Sequence, residues 1–189
     1  MRKMALSEDE LRARTVGELQ PLSSPIWIAE YDPGWPRRFE TAAQVIRSAL
    51  GDRVLRLEHV GSTSVPGLPA KPIIDILLVV TNSAREEEYA TALEHAGYRL
   101  RIREPEWYEH RMFRDAPEEV QLHVFSEGCP EIERMLVFRN WLRSSASDRE
   151  LYGRTKRELA QRAWKYTQNY ADDKTRVVEE ILSRALGSP

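Results

Sequence analysis

The sequence predicts an α/β or α+β core capped by helices at its C-terminal end. Two observations carry the prediction. Strand-like runs share residues 26–128 with one strongly periodic helix, and everything beyond Gly128-Cys129-Pro130 follows a helical period. The length of 189 residues matches one domain of ~150 residues with an appendage. Residues 1–25 read as an N-terminal arm and residues 26–189 as a single domain, divided into a sheet-containing part (26–128) and a helical part (129–189).

The elements follow in order. Ser7 with Glu10 three residues later is a capping-box signature, so a short helix opens the chain, and Pro21 to Pro25 is a connector. Ile26 to Tyr31 reads as a strand ended by Asp32-Pro33-Gly34. From Trp35, apolar residues at Phe39, Ala42, Ala43, Ile46, Ala49 and Leu50 mark a helix closed by Gly51. Val54 to Val60 is a strand, residues 61–72 a loop and Ile73 to Val80 a buried strand. Asn82-Ser83 caps a helix running to about His95. Tyr98 to Arg103 is a further strand; His110 to Arg114 and Val120 to Phe125 form a hairpin around Asp115-Ala116-Pro117-Glu118. Helices are expected near 131–144, 148–164 and 169–186, with breaks at Ser144-Ser145 and Gln168-Asn169.

Composition excludes several classes of function. With 28 Lys and Arg against 30 Asp and Glu, the net charge is −2, which gives no global electrostatic case for long nucleic acid or an anionic membrane. The single Cys129 makes neither an internal disulfide nor a multi-cysteine zinc site and fits a reducing cytoplasm. Met1 to Arg14 is charged throughout, and the most apolar run, Ile73 to Val80, is short and interrupted by Asp75, so neither a secretory leader nor a membrane span is expected.

The segment from Glu58 to Ile76 carries the chemistry. A strand runs into Gly61-Ser62-Thr63, where consecutive N–H groups and hydroxyls suit a phosphate, and Lys71 adds a charge at the loop's far end. The same spacing also suits a plain connecting turn. Asp75 lies inside an apolar strand, where an ionised carboxylate needs a cation or a metal as partner. Gln121 and His123 share the polar face of the strand 120–125, so His123 is a candidate metal ligand, phosphate donor or acid/base, or a structural histidine. Glu58 and His59 point to opposite faces, so at most one of them reaches the same site.

In the helical half, Lys174 lies on the stripe Tyr170, Val177, Val178, Ile181, Leu182 and Ala185. Lys156 shares a stripe with Tyr152, Thr155, Leu159 and Ala163, and Arg139 and Arg143 follow Met135 and Leu136. Each cation alone can snorkel to water; four together point to a cationic cleft for phosphate or carboxylate. Glu104 to Arg111 is a polar and aromatic cluster, read either as a specificity lid or as an exposed loop packing Trp107 and Tyr108 on the core.

The run from His59 to Asp75 resembles the signature of the GrpB family, also called UPF0157, of the nucleotidyltransferase superfamily. The similarity continues through Tyr31 to Trp35, Leu122-His123-Val124, Phe138 to Arg143, Tyr152 with Lys156 to Ala160, and Tyr170 with Lys174, covering residues 26–185. The resemblance implies a nucleotidyltransferase-like mixed sheet in which a Gly-Ser loop adjoins a strand of acidic metal ligands. It also directs Arg111 into the site. Some members are fused to dephospho-CoA kinase. Such enzymes hold magnesium with two carboxylates at i and i+2 of a strand, but position 77 is Leu77.

The resulting expectation is a nucleotide or other small phosphorylated ligand held by Gly61, Ser62, Thr63, Lys71, Arg111, Arg139, Arg143, Lys156 and Lys174, with Asp75 and His123 binding magnesium or acting in catalysis. Nucleotidyl transfer to a small acceptor, a non-catalytic binding module, and a different reaction on a carboxylated or phosphorylated metabolite stay open. So does the oligomeric state, a dimer included.

Overall fold

In the computed structural model, which describes residues 6–116 and 119–187, the polypeptide forms a five-stranded mixed sheet with helices on both faces. The strands are β1 (Arg56–Val60), β2 (Ile74–Val80), β3 (Tyr98–Glu104), β4 (His110–Asp115) and β5 (Val120–Ser126), in the order β1-β2-β5-β4-β3. β2 and β5 pair in parallel, and the other neighbours are antiparallel. Pro117 and Glu118 of the hairpin turn lie outside the described residues.

Alternation in the strands decides which helices cover which face. Ile74, Ile76, Leu78 and Val80 of β2, with Leu122 and Val124 of β5, pack on Trp35, Phe39, Ala43, Ile46 and Leu50 of α2 (Trp35–Leu50) and on Leu93 of α3 (Ala90–His95). The tight entry to α2 comes from Asp32, whose Oδ1 accepts from the Gly34 N–H at 2.7 Å. On the other face Leu77, Val79 and Phe125 meet Ile132 and Leu136 of α4 (Pro130–Ser144). Behind α4 come α5 (Ala146–Ala160) and α7 (Thr175–Ala185), joined to it through a cluster of Val65, Leu68, Leu142, Tyr152, Val177 and Ile181, while α6 (Thr167–Asp173) packs its Tyr170 on Leu159 and Ile26. Asp75, Gln121 and His123 share this second face where the helices do not close on it.

From Leu6 onwards the N-terminal arm runs across both halves. Ser7 and Glu10 close the predicted capping box of α1 (Glu8–Arg14). Thr15 bridges Ile102 of β3, the Val16 N–H donates to Arg101 O at 2.9 Å, and the Leu22 N–H donates to Lys165 O at 2.9 Å. No helix of the described residues is long and apolar enough to cross a membrane.

Three expected elements differ. Residues 26–31 form no strand: Ala29 makes a single bridge to Ala70, because the neighbouring chain there is a loop that offers one pairing position. The helix expected over 82–95 shortens to a 3-10 turn at Glu86–Glu88 and α3. The caps are spent elsewhere: Asn82 Oδ1 accepts from Ala84 N–H at 2.9 Å, and Ser83 Oγ donates to Glu109 O at 2.9 Å. The last helix breaks at Lys174 and not at Gln168-Asn169, since Asn169 Oδ1 accepts from the Tyr166 N–H and thereby starts α6.

Candidate functional site

A cleft of about 530 Å³ opens between the second sheet face, the C-terminal helices and the arm. Asp75, Gln121, His123, Met112 and Arg114 come from the sheet. Lys71 and Ser62 come from the loop, Lys156 from α5, Tyr170 from α6, and Lys174 from the junction of α6 and α7. The strand register explains the sheet side. Arg114 lies opposite Gln121 and Met112 opposite His123, so the four project to one face.

Asp75 is the electrostatic focus. His123 Nε2 stands 3.7 Å from its Oδ1, and the parallel pairing of β2 with β5 brings them together. Burial, then the neighbouring Lys174, lowers the Lys71 ammonium to about 8, with Asp75 opposing and Arg114 adding to the drop. Burial and Lys174 push Lys156 well down against the pull of Asp75, and burial lowers Lys174 with Asp75 opposing. Three lysines share one carboxylate, so their charged forms are under-compensated, and a bound anion would stabilise those forms. The Tyr170 hydroxyl is buried and makes no hydrogen bond within the described residues, while burial raises its pKa and keeps it a donor. Lys174 lies 4.6 Å over its ring and Lys71 5.8 Å.

Other residues expected at the site serve the loop instead. Gly61 adopts φ +66°, and the space of its missing Cβ is filled by the Asp75 carboxylate, whose Oδ2 would lie 2.2 Å from a Cβ placed there. Its freedom thus admits Asp75, and Gly61 itself does not line the cleft. Thr63 is buried: its Oγ1 donates to Ile73 O at 3.1 Å and accepts from His59 Nε2 at 3.0 Å. Arg143 donates twice to Ser64 O, at 3.0 and 2.8 Å, and Arg139 ties α4 to β1 through Glu58 Oε2 (2.8 Å) and His59 O (2.9 Å). Lys156 is mixed in role; its Nζ donates to Ser62 Oγ at 2.9 Å and to Pro69 O, bracing the loop while lining the cleft. Neither Glu58 nor His59 reaches the cleft. His59 stacks on Phe39, and burial lowers it to about 4, so it is neutral.

Arg111 points the opposite way from expectation. Its Nε donates to Glu86 Oε1 at 2.5 Å and its Nη1 to Glu109 O at 2.9 Å, on the α3 side of the sheet. Arg114, of opposite parity, takes the cleft position, and the hairpin pairing with Gln121 is the signal that identifies it. Trp107 lines the cleft and packs against Phe125 and His110, whereas Tyr108 stays exposed.

Magnesium calls for several oxygen ligands in near-octahedral order. Leu77, two residues beyond Asp75 on the same face, is fully buried against Val60, Phe125 and Leu136. No group of three or more His, Cys, Asp or Glu among the described residues is arranged to hold a metal ion. With lysines crowding its one carboxylate, this donor set does not fit a magnesium pair.

Comparisons with known proteins agree with the architecture. A UPF0157 protein of Halalkalibacterium halodurans is 57% identical over 179 residues, covering 95% of this chain and 92% of that protein. The crystal structure of the conserved protein GrpB from Enterococcus faecalis matches with a TM-score of 0.76 at 34% identity, over 85% of this chain and 98% of that one. Cid1 in complex with its short product ApU matches with a TM-score of 0.52 at 15% identity, over 71% of this chain and 43% of that one, a likeness of fold that makes this core nucleotidyltransferase-like. The sequence model of the GrpB protein family spans residues 25–184, and the chain belongs to that family.

Proposed function

We propose that the cleft binds a small phosphorylated ligand, a nucleotide foremost, through Lys71, Lys174, Arg114, Ser62 and the Tyr170 hydroxyl, and that Asp75 with His123 faces its reacting end. The convergence of Lys71, Lys156 and Lys174 on a single carboxylate carries this reading. Cationic donors at fixed positions beside an unpaired tyrosine hydroxyl suit phosphate oxygens. The nucleotide preference leans on the Cid1 likeness and is an analogy of fold. Magnesium-dependent nucleotidyl transfer, the reaction the resemblance suggests, lacks its second carboxylate at Leu77, so the reading assigns the chemistry to protein groups and not to a metal pair.

Thermal-shift titration with inorganic phosphate, ATP, CTP, GTP, UTP and coenzyme A precursors, with and without magnesium, tests it. A ligand at 100 times its Kd adds about 2.7 kcal/mol, which for a chain of this size raises Tm by roughly 5–10 °C. The shift is expected without magnesium and is expected to vanish in Lys174→Met. If no phosphorylated compound moves Tm, the reading fails; a shift that requires magnesium restores metal-dependent transfer.

A further inference from the structure

Four neighbouring strands place a row of polar side chains side by side across the open face of the sheet. Glu104 ends β3, His110 begins β4 opposite it, His123 lies on β5 and Asp75 on β2. Glu104 Oε2 is 2.8 Å from His110 Nδ1, His110 Nε2 is 3.1 Å from His123 Nδ1, and His123 Nε2 is 3.7 Å from Asp75 Oδ1. The two imidazole planes are inclined by only 17°, so a lone pair of one ring meets an N–H of the other nearly in plane. Arg14 from the arm completes the row, its Nη1 2.7 Å from Glu104 Oε1.

The donor inventory gives this row a direction. Arg14 is always protonated, and a carboxylate ion-paired to it only accepts, so His110 Nδ1 must carry the hydrogen. In a neutral His110 the Nε2 is then an acceptor, which requires the hydrogen of His123 on Nδ1 and leaves a lone pair on His123 Nε2. That nitrogen borders the cleft next to Asp75. We infer that Arg14, Glu104 and His110 are positioning residues that fix His123 with a bare Nε2, and that this nitrogen accepts a proton from a hydroxyl of the bound ligand or of its acceptor. In the step the O–H bond breaks, its electron pair stays on oxygen, an N–H bond forms at Nε2, and the imidazolium is faced by Asp75. Lys71, Lys174 and Arg114 oppose that charge from the cleft walls, which makes the Asp75 carboxylate necessary. The inference rests on the ligand reading above for the molecule that brings the proton; the arrangement in the free protein does not.

The chain has four histidines, so nitrogen-15 NMR of the histidine-labelled full-length protein at pH 8, without ligand, reads every tautomer. His59 donates from Nε2 to Thr63, and the exposed His95 takes the Nε2–H form that free histidine favours. His110 and His123 are expected in the opposite Nδ1–H form, assigned with His123→Gln. Glu104→Gln, and independently the milder Arg14→Gln, are expected to return His123 towards Nε2–H. A wild-type His123 with Nε2–H and a bare Nδ1 overturns the inference, as does a tautomer unchanged in both variants. Inorganic phosphate that binds by calorimetry without shifting the His123 Nε2 resonance overturns its place in the cleft. A protein with the expected tautomers that binds neither inorganic phosphate nor any of the nucleotides and coenzyme A precursors overturns the ligand reading and leaves the proton arrangement standing.

Discussion

Gly61→Ala tests the meeting of loop and strand on which the site depends. The glycine sits at φ +66°, ψ −170°, a region that side chains essentially never occupy, and holding alanine there costs about 1–3 kcal/mol. The new Cβ would also lie 2.2 Å from Asp75 Oδ2 and 2.9 Å from both its Cβ and Cγ. Because the Asp75 Cβ is fixed to β2, an interior strand paired on both sides, rotating the carboxylate away does not relieve the clash, and forced overpacking of this kind adds about 1–3 kcal/mol. Restriction of the unfolded chain returns about 0.4–1 kcal/mol. The balance is a loss near 3 kcal/mol, or a Tm lower by roughly 6–12 °C for a chain of this length. Urea denaturation with parallel thermal scans measures it. In an Asp75→Ala background the contacts with Oδ2 and Cγ disappear, so the penalty of Gly61→Ala falls by about 1–2 kcal/mol while the backbone part remains. A Gly61→Ala protein within about 0.5 kcal/mol of wild type, where ordinary surface changes fall, would refute the close approach and with it the argument that Gly61 serves Asp75.

Lysine ionisation gives a pH test with a definite sign. The folded pKa of Lys71 is lowered to about 8 from 10.5, so between those values the unfolded chain binds more protons and the free protein gains stability as pH rises; Lys71→Met should lack that rise when the two are compared by denaturation. Phosphate affinity should move the other way, weakening as pH climbs through about 8, with proton uptake on binding seen as a buffer-dependent calorimetric enthalpy. Leu77→Asp, which rebuilds the carboxylate pair on paper, buries a charge at a fully enclosed position and should lose at least about 3 kcal/mol; magnesium should not rescue its Tm, and a clear rescue would contradict the misfit argued for the donor set. Arg143→Ala leaves Ser64 O without its two donors and should cost about 1.5–3 kcal/mol, with faster amide exchange confined to residues 61–68.

Much of the site was legible wherever a period of two or an anomalous charge decided the matter. Asp75 in an apolar strand and His123 opposite the apolar parity of β5 do share one cleft, and Lys174 and Lys156 turn inward from their helical stripes. Arg111 failed because a motif position was followed in place of strand parity: the pairing of Arg114 with Gln121 points to the arginine three residues on, which faces the other way. Arg139, Arg143 and Thr63 failed for a different reason. Their partners are main-chain carbonyls at His59, Ser64 and Ile73, and sequence patterns do not say where a carbonyl ends up. The row from Glu104 to His123 was invisible for a third reason: β3, β4 and β5 are consecutive, but the row depends on their exact register, Glu104 opposite His110 and Met112 opposite His123, and its last step to Asp75 on a pairing of strands that are not neighbours in sequence. The short segment 26–31 has strand composition but meets a loop, so composition overstated it.

The arm has a consequence for the order of assembly. Residues 6–22 precede the whole sheet in sequence, yet the Leu6 N–H donates to Asp172 Oδ2, Glu8 pairs with Lys165, and the Leu22 N–H binds Lys165 O, all on segments beyond the last strand. Contacts of such sequence separation form late. Arg14, seated against Glu104, is carried by an arm anchored at the C-terminal helices as well as on β3, so the counter-charge that orients the histidines rests in part on contacts far from it in sequence.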